Sequence, residues 1–234
     1  MTYTDLFDTD RGPDTTGDAT RPVDYVSSGH VESEGTDHRA APVDDRVIAQ
    51  WWNTDAMVET GEYPPLFAVM GAHPWAGATT LSRMWAPAAD TGMQWPANPA
   101  TTQLTLVVAQ QSARGLRAAS AVLQMLSEDT VPPGVLCIGL AVVAAGPGRA
   151  PKEVLSYQET VGELVNGRVY PVPYIPELVS PPPRLASWRP GDERRRKSGP
   201  VSNAVPTAIA DVGMRICLDL VELHPNYTPP ERTA

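Results

Sequence analysis

The stretch from Leu66 to Trp85 has the layout of a phosphate-binding loop: an apolar run, a glycine-bearing turn ending in two threonines, and a helical pattern. Such a loop needs backbone N–H groups that face the phosphates, a lysine for the outer phosphates and a hydroxyl for magnesium. Gly77 stands where the chain must pass close to a phosphate, and Thr79 stands where the hydroxyl belongs. Ala78, however, takes the place of the lysine, and Pro74 has no N–H to offer. The loop therefore predicts partly retained anion binding without the charge that phosphoryl transfer requires.

The candidate nucleotide- or anion-binding residues are those of the loop and two downstream cations: His73, Ala76, Gly77, Ala78, Thr79, Thr80, Arg149 and Lys152. Thr79 is also the candidate Mg²⁺ ligand, on the condition that a nucleotide binds. Arg149 and Lys152 are candidates to replace the missing lysine, although an exposed turn is the preferred interpretation of their segment. For His73 a packing or hydrogen-bonding role is preferred, because no serine or cysteine partner for catalysis is evident. No catalytic residue is assigned.

Apolar runs alternate with helical patterns through the middle of the chain. Buried strands are predicted at 66–71, 104–110 and 134–145, and an edge strand at 168–176, whose prolines cannot donate to a central ladder. Helices are predicted after the loop, over 112–129 with Ser112 as N-cap, and after residue 151. This alternation predicts an α/β fold with a small parallel sheet and flanking helices, in which ligands bind at the carboxyl edge of the strands.

The rest of the chain divides by composition. Residues 1–45 are predicted to be a disordered acidic arm, because they lack enough apolar surface to form a core. The α/β domain is assigned to 46–179, with a short helix expected over 46–59. A Pro/Arg-rich linker is expected over 180–205, an amphipathic helix over 206–223, and a tail over 224–234. The helix either folds back on the core, which is the preferred interpretation, or docks on a partner.

Composition also bears on partners and location. A net charge of −9 argues against free-standing affinity for nucleic acid. DNA contact is at most indirect or through the basic run Arg194, Arg195, Arg196 and Lys197, for which a solvated linker is the preferred interpretation. No apolar run is long enough to span a membrane, and the N-terminus does not resemble a signal peptide. The two cysteines show no pairing pattern, which favours a reducing, cytoplasmic location. Contact with a membrane is not expected.

The strand, the run HPWAGATTL and the later run LTLVVAQQSARGLRAA resemble the ParA/MinD-type deviant Walker ATPases, whose loop reads K-G-G-x-G-K-T-T. In this match His73 and Ala78 replace the two lysines, and Pro74 and Trp75 replace two glycines. More closely, residues 66 to about 178 resemble an uncharacterised actinobacterial family of conjugative and phage-like elements that lacks the loop lysine. The resemblance implies a truncated P-loop NTPase-like fold and a role in a mobile genetic element, in DNA transfer, partition or maintenance.

The resembled ATPases also carry a catalytic aspartate on a strand between the loop helix and the strand that matches 104–110. In this sequence residues 88–103 fill that interval, with Asp90 as the sole acidic residue, and no strand is predicted there. Two parts of the hydrolytic machinery are therefore missing, and an enzyme is not the preferred hypothesis.

Three hypotheses follow. The first is a non-hydrolytic, degenerate P-loop domain that acts as a binding, scaffold or regulatory protein, with a protein partner and a homodimer among the options. The second is a genuine switch that binds Mg-ATP or Mg-GTP and uses Arg149 or Lys152 in place of the lysine. The third is a phage structural or adaptor protein.

Overall fold

The computed structural model describes residues 50–55, 64–192 and 200–223. The strands in this part of the chain are β1 (Trp52–Asn53), β2 (Phe67–Gly71), β3 (Ala88–Asp90), β4 (Trp95–Pro96), β5 (Leu104–Gln110), β6 (Leu136–Val143) and β7 (Val169–Val172). The helices are α1 (Ala78–Met84), α2 (Ala113–Ser127), α3 (Lys152–Glu163) and α4 (Thr207–Leu223), with a 3₁₀ turn at Pro176–Leu178. The predicted α/β fold with a parallel sheet, flanking helices and a C-terminal helix is confirmed.

Five strands form one parallel sheet in the order β3-β2-β5-β6-β7, and β1 pairs with β4 in a separate parallel ribbon. In chain order the large sheet reads 2-1-3-4-5, one of the two common doubly wound arrangements. Its direction of winding reverses between β2 and β5, and this reversal opens a crevice at the carboxyl ends of the strands. As predicted, the proline-containing strand β7 lies at an edge.

Two apolar layers cover the sheet because successive strand residues point to opposite faces. One layer joins α1 and α4 to alternate strand residues, among them Phe67, Val69, Leu104, Leu106, Val108 and Tyr170. The other joins α2 and α3 to the remaining positions, among them Met70, Val107, Ala109, Leu140 and Val142. Helices therefore cover both faces, as continuous apolar strands require.

The C-terminal helix packs on the core beside the end of α1. The indole N–H of Trp85 donates to the carbonyl oxygen of Ile209 on α4 at 2.9 Å. Gly213 allows this approach, since a Cβ at that position would lie 2.7 Å from Nε1 of Trp85. Trp188, in the segment expected to be a linker, is buried and forms a parallel bridge with Trp85. Trp188 and Val201 therefore contact the core, while the other described residues of 180–205 are exposed or half-buried.

Two local predictions are wrong. Residues 88–90 do form a strand, β3, which pairs in parallel with β2 and ends at Asp90. The short helix expected over 46–59 does not form at its centre, because Trp52 and Asn53 pair with Trp95 and Pro96 as a strand. The predictions for 1–45, for the basic run at 194–197 and for 224–234 lie outside the described residues. Within the described residues, no helix has the length and apolar character needed to cross a membrane.

Candidate functional site

A cleft of about 770 Å³ lies at the carboxyl edge of the sheet. The loop that connects β2 to α1 forms one wall, and the ends of β5, β6 and β7 form the floor and the opposite wall together with the 3₁₀ segment. This is where a 2-1-3-4-5 sheet binds ligands, and the volume is within the range of small-molecule sites. The candidate site is therefore the crevice that the topology itself creates.

The tight curl of the loop depends on glycine. Gly77 is the N-cap of α1 and has the left-handed backbone angles φ 96° and ψ 3°, which a side chain would strain. A Cβ at Gly71, the last residue of β2, would lie 3.4 Å from the carbonyl oxygens of both His73 and Gly92. The end of β2 therefore packs against the loop and against the turn that follows β3.

His73 ties the loop to the end of β5. The backbone N–H of Gln110 donates to Nε2 of His73 at 3.2 Å, and Nδ1 lies 2.7 Å from the carbonyl oxygen of Pro74. Because Nε2 accepts a hydrogen bond it carries no proton, so Nδ1 carries it and donates to Pro74. Both ring nitrogens are therefore occupied within the protein, and His73 acts as a structural bridge.

Gly115, in the first turn of α2, makes room for this bridge. A Cβ there would collide with the carbonyl oxygen of Gln110 and lie 3.0 Å from Nε2 of His73. The start of α2 is further fixed by Ser112, whose hydroxyl accepts a hydrogen bond from the N–H of Gly115 at 3.1 Å, as the predicted N-cap requires. The loop, the end of β5 and the first turn of α2 form one connected unit.

The N–H groups of the loop are only partly available to a ligand. Pro74 has none, and the N–H of Ala76 donates within the loop to the carbonyl oxygen of His73 at 3.2 Å. Ala78, at the position of the missing lysine, is buried but lines the cleft, while Thr79 is exposed beside it. Thr80 also lines the cleft.

The two proposed substitute cations do not join the loop. Arg149 and Lys152 are exposed, and neither lines the cleft. Lys152 instead borders a shallow depression on the outer side of α3, together with Glu153 and Tyr157. Six of the eight candidates line the cleft, and these two lie outside it.

Charge is missing from the cleft altogether: no lysine, arginine, aspartate or glutamate of the described residues lines it. Its walls offer no cation to the outer phosphates of a nucleotide and no carboxylate to magnesium. Nor do the described residues contain a group of three histidine, cysteine, aspartate or glutamate side chains that could hold a metal ion. The residues present do not fit a magnesium nucleotide.

Asp90 has a structural role that its sequence context did not indicate. It ends β3 beside β2, in register with Val69. Its Oδ1 accepts a hydrogen bond from the N–H of Gly92 at 2.9 Å, and the carbonyl oxygen of Gly92 accepts one from Gly71 at 2.7 Å. Asp90 therefore fixes the turn behind the loop. In the sequence, the Thr91-Gly92 pair after Asp90 indicates a turn at the end of a strand.

Comparison of the chain with protein-family models, with curated proteins and with solved structures finds no match.

Proposed function

We propose that this chain is a non-hydrolytic binding or scaffold protein built on a P-loop-like α/β domain. The observation that carries the proposal is the absence of every lysine, arginine, aspartate and glutamate side chain from the described lining of the cleft. Phosphoryl transfer is catalysed mainly by positioning and by cations that neutralise charge on the transferred group. A cleft without such charges lacks the main source of rate enhancement, while its shape and glycine turn remain suited to holding a ligand.

The loop also differs from a nucleotide cradle in its hydrogen bonds. The carbonyl oxygen of Pro74 accepts a hydrogen bond from the His73 ring, and the N–H of Ala76 donates to the carbonyl oxygen of His73. Neither Pro74 nor Ala76 therefore offers a free N–H group to a phosphate, so the loop has fewer donors than a nucleotide-binding loop needs. A protein partner, a second copy of the chain and a role in a mobile genetic element remain predictions.

Thermal unfolding with and without millimolar Mg-ATP or Mg-GTP tests the proposal. Nucleotide at about 100 times its dissociation constant would stabilise the fold by about 2.7 kcal/mol and shift the midpoint by several degrees. We expect no shift. A shift that disappears in Thr79→Ala would contradict the proposal and support a nucleotide-dependent switch. Thr160→Ala, at an exposed threonine of α3 that does not line the cleft, is the control.

A further inference from the structure

Exposed apolar side chains gather at the mouth of the cleft. Trp75, Met93 and Val179 are all exposed, come from three separate segments, and all line the cleft. Isolated exposed apolar residues are common, but a contiguous group around a concavity marks a binding site. The cleft is therefore built to present apolar surface.

Trp75 is unusual in two ways at once. Its side chain is 96% exposed, and its backbone has φ 68°, which is rare for a bulky residue. Neither feature stabilises the free protein, because the ring gains no burial and the backbone is strained. Both are consistent with a ring that is held out beside the cleft to cover a ligand.

The polar groups in the cleft are few and neutral. Four neutral polar residues line the cleft, and none of their side chains forms a hydrogen bond with another described residue: Thr79, Thr80, Gln110 and Tyr174. Neutral donors and acceptors in an apolar wall orient a ligand without requiring it to be charged. A charged ligand would lose hydration on entry and find no counter-charge, which is costly.

We propose, building on the proposed binding function, that the cleft binds an uncharged small molecule with a largely apolar body and a planar ring. The ring lies against Trp75, the apolar body lies between Val179 and Met93, and Gln110 and Tyr174 supply hydrogen bonds. The position at the strand reversal and the volume of about 770 Å³ favour a compact molecule that the crevice largely encloses.

A pair of fluorescent probes tests the charge requirement. N-phenyl-1-naphthylamine is neutral, and 1-anilinonaphthalene-8-sulfonate is nearly the same molecule with one negative charge. We expect the neutral probe to saturate at one molecule per chain and to bind at least about tenfold more tightly than the sulfonate. Salt at about 0.15 M limits the general repulsion between the acidic chain and the anionic probe.

Two valines provide matched variants. Val179 at the cleft is 69% exposed, and Val221 on the outer side of α4 is 70% exposed, so a change at either leaves the core intact. We expect Val179→Asp to weaken the neutral probe at least about tenfold, since it places an unpaired charge in the apolar mouth. Val221→Asp is expected to leave the affinity within about twofold of wild type, as surface changes away from a site usually do. Trp75→Ala is expected to weaken binding in the same direction as Val179→Asp.

Several results would overturn the inference: no saturable binding of the neutral probe, equal affinity for the sulfonate, or equal loss in both valine variants. Affinity that falls as the protein concentration rises would assign the cleft to a second copy of the chain instead. Displacement of the bound probe by Mg-ATP would contradict the proposed function itself. If neither the neutral probe nor Mg-ATP binds, the proposed ligand class is wrong, but the proposed function is not contradicted.

Discussion

Helix α1 has a tryptophan near each end, and the two side chains differ in solvent exposure. Trp75, in the loop before the helix, is 96% exposed at a strained backbone position. Trp85, which caps the C-terminal end, is fully buried, and its N–H donates to α4. One end of the helix is closed by packing against α4 and Trp188, whereas the other opens into an uncharged cleft.

The comparison shows which contacts of α1 stabilise the fold and which apolar surface stays exposed. At the Trp85 end, apolar contacts and a satisfied hydrogen bond are fixed between four segments of the chain. At the Trp75 end, glycines and the His73 bridge shape the loop, but the exposed ring adds nothing to the core. Under the proposed function, one end of this seven-residue helix stabilises the fold and the other end is available for binding.

The largest expected effect comes from removing the two rings in turn. Trp85→Ala should lower the free energy of unfolding by about 3–5 kcal/mol, through the cavity that it leaves and the loss of the hydrogen bond to Ile209. Trp75→Ala should change it by no more than about 0.5 kcal/mol. Urea unfolding of both variants measures the contrast. Equal losses would show that the loop ring is part of the core after all.

Packing at the Trp85 end of α1 should also affect how the free energy of unfolding depends on pH. Burial raises the pKa of the Cys217 thiol on α4 from 9.0 to about 11. Because the folded state favours the neutral thiol, this contribution is fully present below pH 9 and is lost as the pH rises toward 11. Unfolding free energies measured across this window should fall more steeply for wild type than for Cys217→Ala, by at most about 3 kcal/mol.

Leu218→Ala, at an exposed neighbouring position, is the control for this experiment and should keep the wild-type slope. Identical slopes for wild type and Cys217→Ala would mean that the inner face of α4 is open to water.

A smaller effect is expected from filling the space between α4 and the two buried rings. A Cβ at Gly213 would lie 2.7 Å from Nε1 of Trp85 and 2.8 Å from Cζ3 of Trp188. Gly213→Ala should therefore destabilise the protein by about 1–3 kcal/mol, even though alanine favours a helix. Gly146→Ala, in a turn with open space around it, should be neutral or slightly stabilising. A stabilised Gly213→Ala, by calorimetry, would contradict the close packing.

The smallest effect concerns the bridge at the open end. His73→Ala removes the acceptor of the Gln110 N–H and should cost about 1 kcal/mol. The specific readout is hydrogen exchange, which should speed up at the Gln110 amide and stay unchanged at core amides of β5. Unchanged exchange at Gln110 would rule out the bridge in solution.

Much of the fold could be predicted because it is encoded locally. Unbroken apolar runs predicted β2, β5 and β6, the prolines predicted the edge strand, and Ser112 predicted the start of α2. Strand β3 was missed because alanine has a low β-propensity, so that a three-residue Ala-Ala-Asp strand depends on its pairing with β2. The burial of Trp188 depends likewise on Trp85, which is distant in sequence.

The sequence predicts only some features of the candidate site. The absence of the lysine at Ala78 can be read directly, as can the loss of the N–H at Pro74. Whether Arg149 or Lys152 reaches the loop depends on the direction of the turn after β6, and no local pattern fixes that direction. The role of His73 required the position of Gln110, which comes from the neighbouring strand.

A calorimetric titration of Mg-ATP into wild type and into Ala78→Lys, side by side, tests the central claim most directly. At the open end of α1 no charged side chain of the described residues lines the cleft, and neither Pro74 nor Ala76 has a free N–H group. We therefore expect no saturable binding to either protein, because a new lysine does not restore these two N–H groups. Saturable binding to wild type would contradict the claim, and binding gained by Ala78→Lys alone would show that the cradle survives and lacks only its charge.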